Sequence, residues 1–189
     1  WGAIVWLSLW LPSFAADNWA LRFNGATQYV QVPLGGTIVM DDQGPRFLVA
    51  PDGAWSPAFA ANAFGNASLQ ATNAAATAQW RPLLPCAGFY KVYAWWGATN
   101  ITLDGEAQYA VKHASGTTTI QVNQNNNARQ WNGLGTFNFQ ANREEFVTLR
   151  PGSSGKPVLA DALLFEEQAF DVIRGALTVE AWVKFANTP

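Results

Sequence analysis

Apolar and polar residues alternate with a period of two through most of the second half of the chain, the period of strands that bury one face. In the run GFYKVYAWW, Tyr90, Val92, Ala94 and Trp96 fall in one phase and Lys91, Tyr93 and Trp95 in the other. Tyr109, Val111 and His113 repeat the pattern, Ser115-Gly116 supplies a turn, and Ile120, Val122 and Gln124 carry the return strand, which predicts a hairpin. Phe137 with Phe139, Val147 with Leu149, and Leu159 with Ala162 to Phe165 predict three more strands, punctuated by Asn132-Gly133 and by PGSSG at 151–155. Many short strands between turn residues predict an all-β fold, an antiparallel β-sandwich of jelly-roll type.

The first half is less regular. IVMDD at 38–42 reads as a strand, but Pro45, Pro51-Asp52-Gly53 and Pro57 then punctuate loop-rich sequence. Residues 60–78 are rich in alanine, a helix former, yet Asn62, Gly65, Asn66 and Asn73 interrupt them, so the stretch reads as irregular with one short strand near Ser68–Ala71. The ends of the chain differ from its middle. Residues 1–16, WGAIVWLSLWLPSFAA, form an apolar run that closes on small residues, like the core and cleavage site of a secretory signal peptide. They are too short to span a bilayer comfortably, and without an initiator Met or a basic start the expectation is a truncated beginning; a buried first strand or helix is the alternative. Trp19 to Pro33 alternates on both sides of the turn pair Asn24-Gly25 until Gly35-Gly36 breaks the pattern, and Gly175 to Phe185 alternates with Leu177, Val179, Ala181 and Val183 on one face.

Charge removes some partners. Charged residues make up 13% of the chain and the net charge is −2, so there is no basic stripe for phosphates and no polybasic membrane patch, and nucleic acid is not an expected partner. No membrane span is expected either. Ten Trp, twelve Phe and four Tyr exceed what a sparse core requires, and planar rings are what proteins stack on sugars, although burial is the default fate of such residues. The single cysteine, Cys86, excludes an intrachain disulfide and C-x-x-C motifs and reads as a small core residue. His113, the single histidine, sits in phase with Tyr109 and Val111, so it reads as a hydrogen-bonded core or edge residue and argues against a catalytic triad or catalytic zinc. Asp41-Asp42, Asp104, Glu106, Glu144-Glu145 and Glu166-Glu167 read as solvated surface groups rather than a glycosidase pair. Asp161 differs: set between Ala160 and Ala162 in an apolar strand, it must be hydrogen-bonded or paired, and is expected to anchor a loop, with structural calcium as the alternative. No catalytic residue, metal or cofactor is expected.

Sugar binding needs an exposed ring for the apolar face of a pyranose and amides or charges for its hydroxyls. Trp131 follows Asn127, Arg129 and Gln130, Trp95-Trp96 opens a loop at Gly97, and Trp55 stands beside Ser56 and near Asp52. The candidate ligand-binding residues are therefore Trp131, Trp96, Trp95, Arg129, Asn127 and Trp55, with core packing as the alternative for each ring.

Several segments carry a family resemblance: Gly53-Ala54-Trp55-Ser56, Ala78 to Pro82, Leu84-Pro85 with Gly88 to Tyr93, Ala107 to His113, Gly116 to Gln124, Trp131 to Phe139, and Leu159 to Ala162 with Phe165. In this order they resemble the golvesin C-terminal-like, or xanthan-lyase carbohydrate-binding-like, domain, over residues 37–167. The chain departs modestly from the family's pattern at Cys86 and at the polar loop Gln124 to Asn127. The hairpin LRFNGATQYVQVP in 17–36 and LTVEAWVKF in 168–189 resemble strands of laminin-G-like, concanavalin A-type lectin domains, which implies an incomplete second sandwich around the middle one. The resemblance implies a secreted, non-catalytic accessory module that binds polysaccharide or cell-wall glycan beside neighbouring domains of a larger extracellular chain. A structural or adhesive protein–protein module is the alternative; a part of a polysaccharide-degrading enzyme, with its catalytic domain beyond Pro189, is a third.

Overall fold

A computed structural model of the chain describes residues 36–168. The signal-peptide reading of 1–16 and the lectin-like strands expected in 17–36 and 168–189 lie outside the described residues, apart from Gly36 and Gln168. Within them run twelve strands: β1 (Thr37–Met40), β2 (Phe47–Ala50), β3 (Ser56–Pro57), β4 (Leu69–Ala71), β5 (Thr77–Trp80), β6 (Gly88–Trp95), β7 (Ala107–His113), β8 (Gly116–Val122), β9 (Asn132–Phe139), β10 (Phe146–Arg150), β11 (Val158–Ala160) and β12 (Ala162–Glu167). A single 3-10 turn, Phe64–Asn66, lies between β3 and β4. The strands pair antiparallel in a four-stranded sheet, β1-β12-β6-β9, a five-stranded sheet, β2-β5-β10-β7-β8, and a small sheet, β11-β4-β3. The all-β sandwich expected from the alternation is what forms.

The two large sheets share one core. Tyr90, Val92 and Ala94 of β6, Phe139 of β9 and Leu163 and Phe165 of β12 meet Trp80 of β5, Tyr109 and Val111 of β7 and Val147 and Leu149 of β10. Tyr90, Phe139 and Phe165 interlock edge to face, with centroids 5.8 and 5.9 Å apart, the offset geometry that ring quadrupoles favour. Along β6 the buried and solvent-facing residues alternate as the sequence predicts. Opposite it β9 carries a bulge: Val92 pairs with Gly135 and Tyr93 with Gly133, so Leu134 is the extra residue, and Gly135 takes a φ of 139°.

Three elements differ from expectation. Strand β2 falls in sequence read as loop, because FLVA is a four-residue edge strand with three exposed positions and shows no period of two. The stretch Leu159 to Phe165, read as one strand, is two: β11 belongs to the small sheet and β12 to the four-stranded one, and Asp161 is the residue between them. Cys86 is half-buried rather than a core residue, with its thiol 3.1 Å from Glu167 Oε1.

A buried amide ties the small sheet to the large one. Gln124, 1% exposed, donates Nε2–H to Tyr109 Oη (3.1 Å) and to Leu159 O (2.9 Å), while its Oε1 accepts from Leu159 N (2.8 Å). The side chain thus pairs with β11 as a strand's backbone would. Gln124→Leu fills similar space but strands two backbone groups and a hydroxyl, so it should cost about 2–4 kcal/mol of stability, each buried unsatisfied group costing ~1–3 kcal/mol. Urea unfolding of Gln124→Leu against wild type measures this.

Candidate functional site

Consecutive residues at the end of β6 point opposite ways, so Trp96 enters the core while Trp95 stays half-buried on the outer face. Antiparallel pairing of β6 with β9 then sets Trp131, one step beyond the Ala94–Asn132 pair, against Trp95. The rings stand 5.4 Å apart at 62°. Phe64 of the 3-10 turn completes a triad, 6.3 Å from Trp95 and 5.6 Å from Trp131. Asn62 (φ 58°), Gly65 (φ 62°) and Asn66 (φ 68°) reverse the chain tightly enough to present that ring, a left-handed geometry tolerated by glycine and asparagine.

The loop carrying Phe64 is pinned to the end of β6. Ala61 and Ala98 exchange backbone hydrogen bonds of 2.6 and 2.9 Å, and Trp95 Nε1 donates to Asn62 O (3.2 Å). A Cβ on Gly97 would come within 2.8 Å of the Ala60 Cβ and 3.0 Å of Ala61 O, so only glycine lets the two segments approach this closely. Beneath them, Asp161 Oδ1 accepts from Phe64 N (3.0 Å) and Oδ2 from Gly97 N (3.1 Å). This is the loop-anchoring role expected of Asp161. Burial pushes its carboxyl up to about 8 and the charges of Asp42 and Asp41 push the same way, against the two backbone donors.

On the other side of the triad, the loop 125–131 closes over the end of β6. Arg129 N donates to Trp96 O (2.8 Å), and Asn132 Nδ2 donates to Asn127 O (3.0 Å) and Gln130 O (2.8 Å). The side chains of Asn127 and Arg129 are left exposed, both residues having positive φ. Four sequence candidates, Trp95, Trp131, Asn127 and Arg129, are thereby gathered at one end of the four-stranded sheet.

Trp96 and Trp55 are not among them. Trp96 is 1% exposed because it continues the inward phase of β6, and Trp55 is 9% exposed, packed in the core with its Nε1 donating to Thr77 O (3.0 Å). Sequence reasoning missed Phe64, whose alanine-rich surroundings gave no period, and Phe59, 98% exposed on the same loop. The one available signal was two isolated aromatics among turn-forming residues.

Other candidates resolve into structural roles. His113 Nε2 bonds Thr118 Oγ1 (2.9 Å), Nδ1 accepts from Ser115 N (3.3 Å), and the ring lies against Phe137, so no carboxylate orients it as a base. Several acids expected at the surface are buried instead. Asp104, fully buried, accepts from Glu106 N (2.8 Å) and Gly152 N (2.6 Å), and Glu145 accepts from Gln140 N and Ala141 N (3.0 Å with the latter). Asp42 is 5% exposed. Among the described residues, no three His, Cys, Asp or Glu side chains converge to hold a metal ion, and no helix is long and apolar enough to cross a membrane.

Comparison with known proteins follows the same segment. The family model of the golvesin C-terminal domain matches residues 38–167. A xanthan lyase of Bacillus sp. (strain GL1) is 40% identical over 87 residues, which is 44% of this chain and 9% of that protein. The solved structure of a Paenibacillus xanthan lyase superposes with a TM-score of 0.65 at 26% identity, covering 70% of this chain and 13% of that one. The chain thus spans about a tenth of the length of these relatives.

Because Asp161 holds both segments that frame the triad, removing its oxygens should reach the rings. Asp161→Ala is expected to lower stability by about 3 kcal/mol or more, the range for losing a buried polar hub. It should also flatten the near-UV circular dichroism of the coupled Trp95–Trp131 pair before global unfolding. A spectrum unchanged from wild type would contradict the anchoring role.

Proposed function

The chain belongs to the golvesin C-terminal domain family, and from that membership we propose that residues 37–167 form a secreted, non-catalytic, carbohydrate-binding module of a larger extracellular protein. The observation that carries this reading is the gathering of Trp95, Trp131 and Phe64 at one sheet end with the exposed Asn127 and Arg129 beside them. Rings offer faces to the C–H surface of a sugar, an amide can donate and accept with its hydroxyls, and a guanidinium suits a carboxylate-bearing residue of an acidic polysaccharide. The xanthan lyases that this chain resembles are named for action on xanthan, and the matched segment is a small share of each. The carboxylates Asp104, Glu145 and Asp161 accept from backbone N–H groups, and His113 is held by Thr118 and Ser115, so we assign none of them bond-breaking work. A single module would bind weakly and gain avidity from its neighbours in the parent chain.

Docking of a protein partner is a second reading, favoured by Phe59, whose ring is 98% exposed. The two separate experimentally. Titration with a panel of neutral and acidic polysaccharides should show binding to at least one, lost by about tenfold or more in Trp131→Ala and Trp95→Ala, a tenfold change being ~1.4 kcal/mol. Arg129→Ala should weaken acidic polymers alone. Trp96→Ala should instead destabilise the fold by about 3–5 kcal/mol, as loss of a buried tryptophan does. Failure to bind any polysaccharide, with Phe59→Ala abolishing association with a flanking domain, would favour the protein partner.

A further inference from the structure

Next to the turn that presents Phe64 lie carboxylate oxygens that the fold leaves unanswered. Asp42 is 5% exposed and neither of its oxygens has a hydrogen-bond partner; Asp41 Oδ1 is likewise buried and unpartnered. Asp41 reaches the turn itself, since a Cβ on Gly65 would collide with its Oδ2, and the neighbouring Phe64 N–H is the one Asp161 holds. The charges of Asp42 and Asp41 bear on Asp161 and that of Asp41 bears on Asp42, Gln43 is the neutral group beside Asp42, and Tyr109 faces Asp161. No lysine, arginine or histidine acts on Asp42 or Asp161. Buried carboxylate oxygens that lack a donor are costly to hold as anions, because desolvation and neighbouring negative charge both oppose ionisation. Either a positive ion or protons must balance them.

We propose that Asp41 and Asp42 form a binding site for a hard divalent cation, calcium by its ligand chemistry, which locks the Phe64 turn against the body of the sandwich. Three free oxygens from two carboxylates, with no thiolate or imidazole, suit an oxygen-seeking ion, and calcium completes 6–8 ligands with carbonyl oxygens and water. The third carboxylate is not a ligand: both Asp161 oxygens are engaged by backbone N–H groups, which agrees with the absence of any converging set of three acidic, cysteine or histidine side chains among the described residues. Asp161 supplies field and anchors the turn. The site abuts the turn that carries Phe64 but does not rest on the glycan reading.

The test is thermal melting and calorimetric titration of the whole chain at pH 7.5 after exchange into EDTA and then into calcium-free buffer. Calcium chloride should raise Tm by about 5–10 °C at a hundredfold excess over Kd, with measurable heat of binding, and magnesium should do less. Asp42→Asn should abolish the calcium response and, without calcium, melt above wild type, since it removes an unpaired buried charge. Asp52→Asn, an exposed position, should respond as wild type does. Wild type that shows neither a Tm shift nor heat overturns the proposal, as does Asp42→Asn responding like wild type.

Discussion

The buried carboxylate of Asp161 is the contact on which the rest of the site depends. It stands where the chain leaves the small sheet at β11 and enters the four-stranded sheet at β12, and each of its oxygens receives one backbone N–H from a different loop. Two loops far apart in sequence are thereby fixed to one strand junction. The ring of Phe64 and the ends of β6 and β9 owe their relative placement to that junction and to the close approach permitted by Gly97. A hydrophobic residue at 161 could fill the space, but it would leave two amide groups without partners in a dry interior.

The same device recurs around the sandwich. Asp104 gathers Glu106 and Gly152, Glu145 gathers Gln140 and Ala141, and Gln124 stands in for a strand against Leu159. The core supplies most of the driving force through apolar burial, which is non-directional. These few polar side chains supply direction, turning long connections into loops with one conformation. Asp104, Glu145, Asp161 and Gln124 thus serve shape rather than solubility.

Strand phase was the most legible part of the sequence. The β6 alternation placed Tyr90, Val92, Ala94 and Trp96 inside and Trp95 outside, because a central strand buries one full face and writes that face into every second residue. It also contained the correction to the binding residues, since the phase that made Trp96 a core residue was already visible. Asp161 was legible for a similar reason: a carboxylate inside an apolar run must have partners. Phe64 and Phe59 were not legible, because the alanine-rich segment around them is held by contacts remote in sequence, such as Ala61 with Ala98, that leave no local pattern. Nor was the burial of Asp42, Asp104 and Glu145, since a single acid in a loop reads the same whether it faces water or backbone amides.

The pairing of β1 with β12 has a mechanical consequence. Thr37 lies opposite Glu166, and Glu167 N donates to Gly36 O, so the first and last described strands run antiparallel with their outer ends side by side. Tension applied through those ends would load the ladder one hydrogen bond at a time, starting from Gly36, rather than shearing all of its bonds together. Such a geometry opens like a zipper under small force. A tethered module built this way would yield at its root, shedding β1 first, while the opposite end of the sheet, where the rings stand, kept its form.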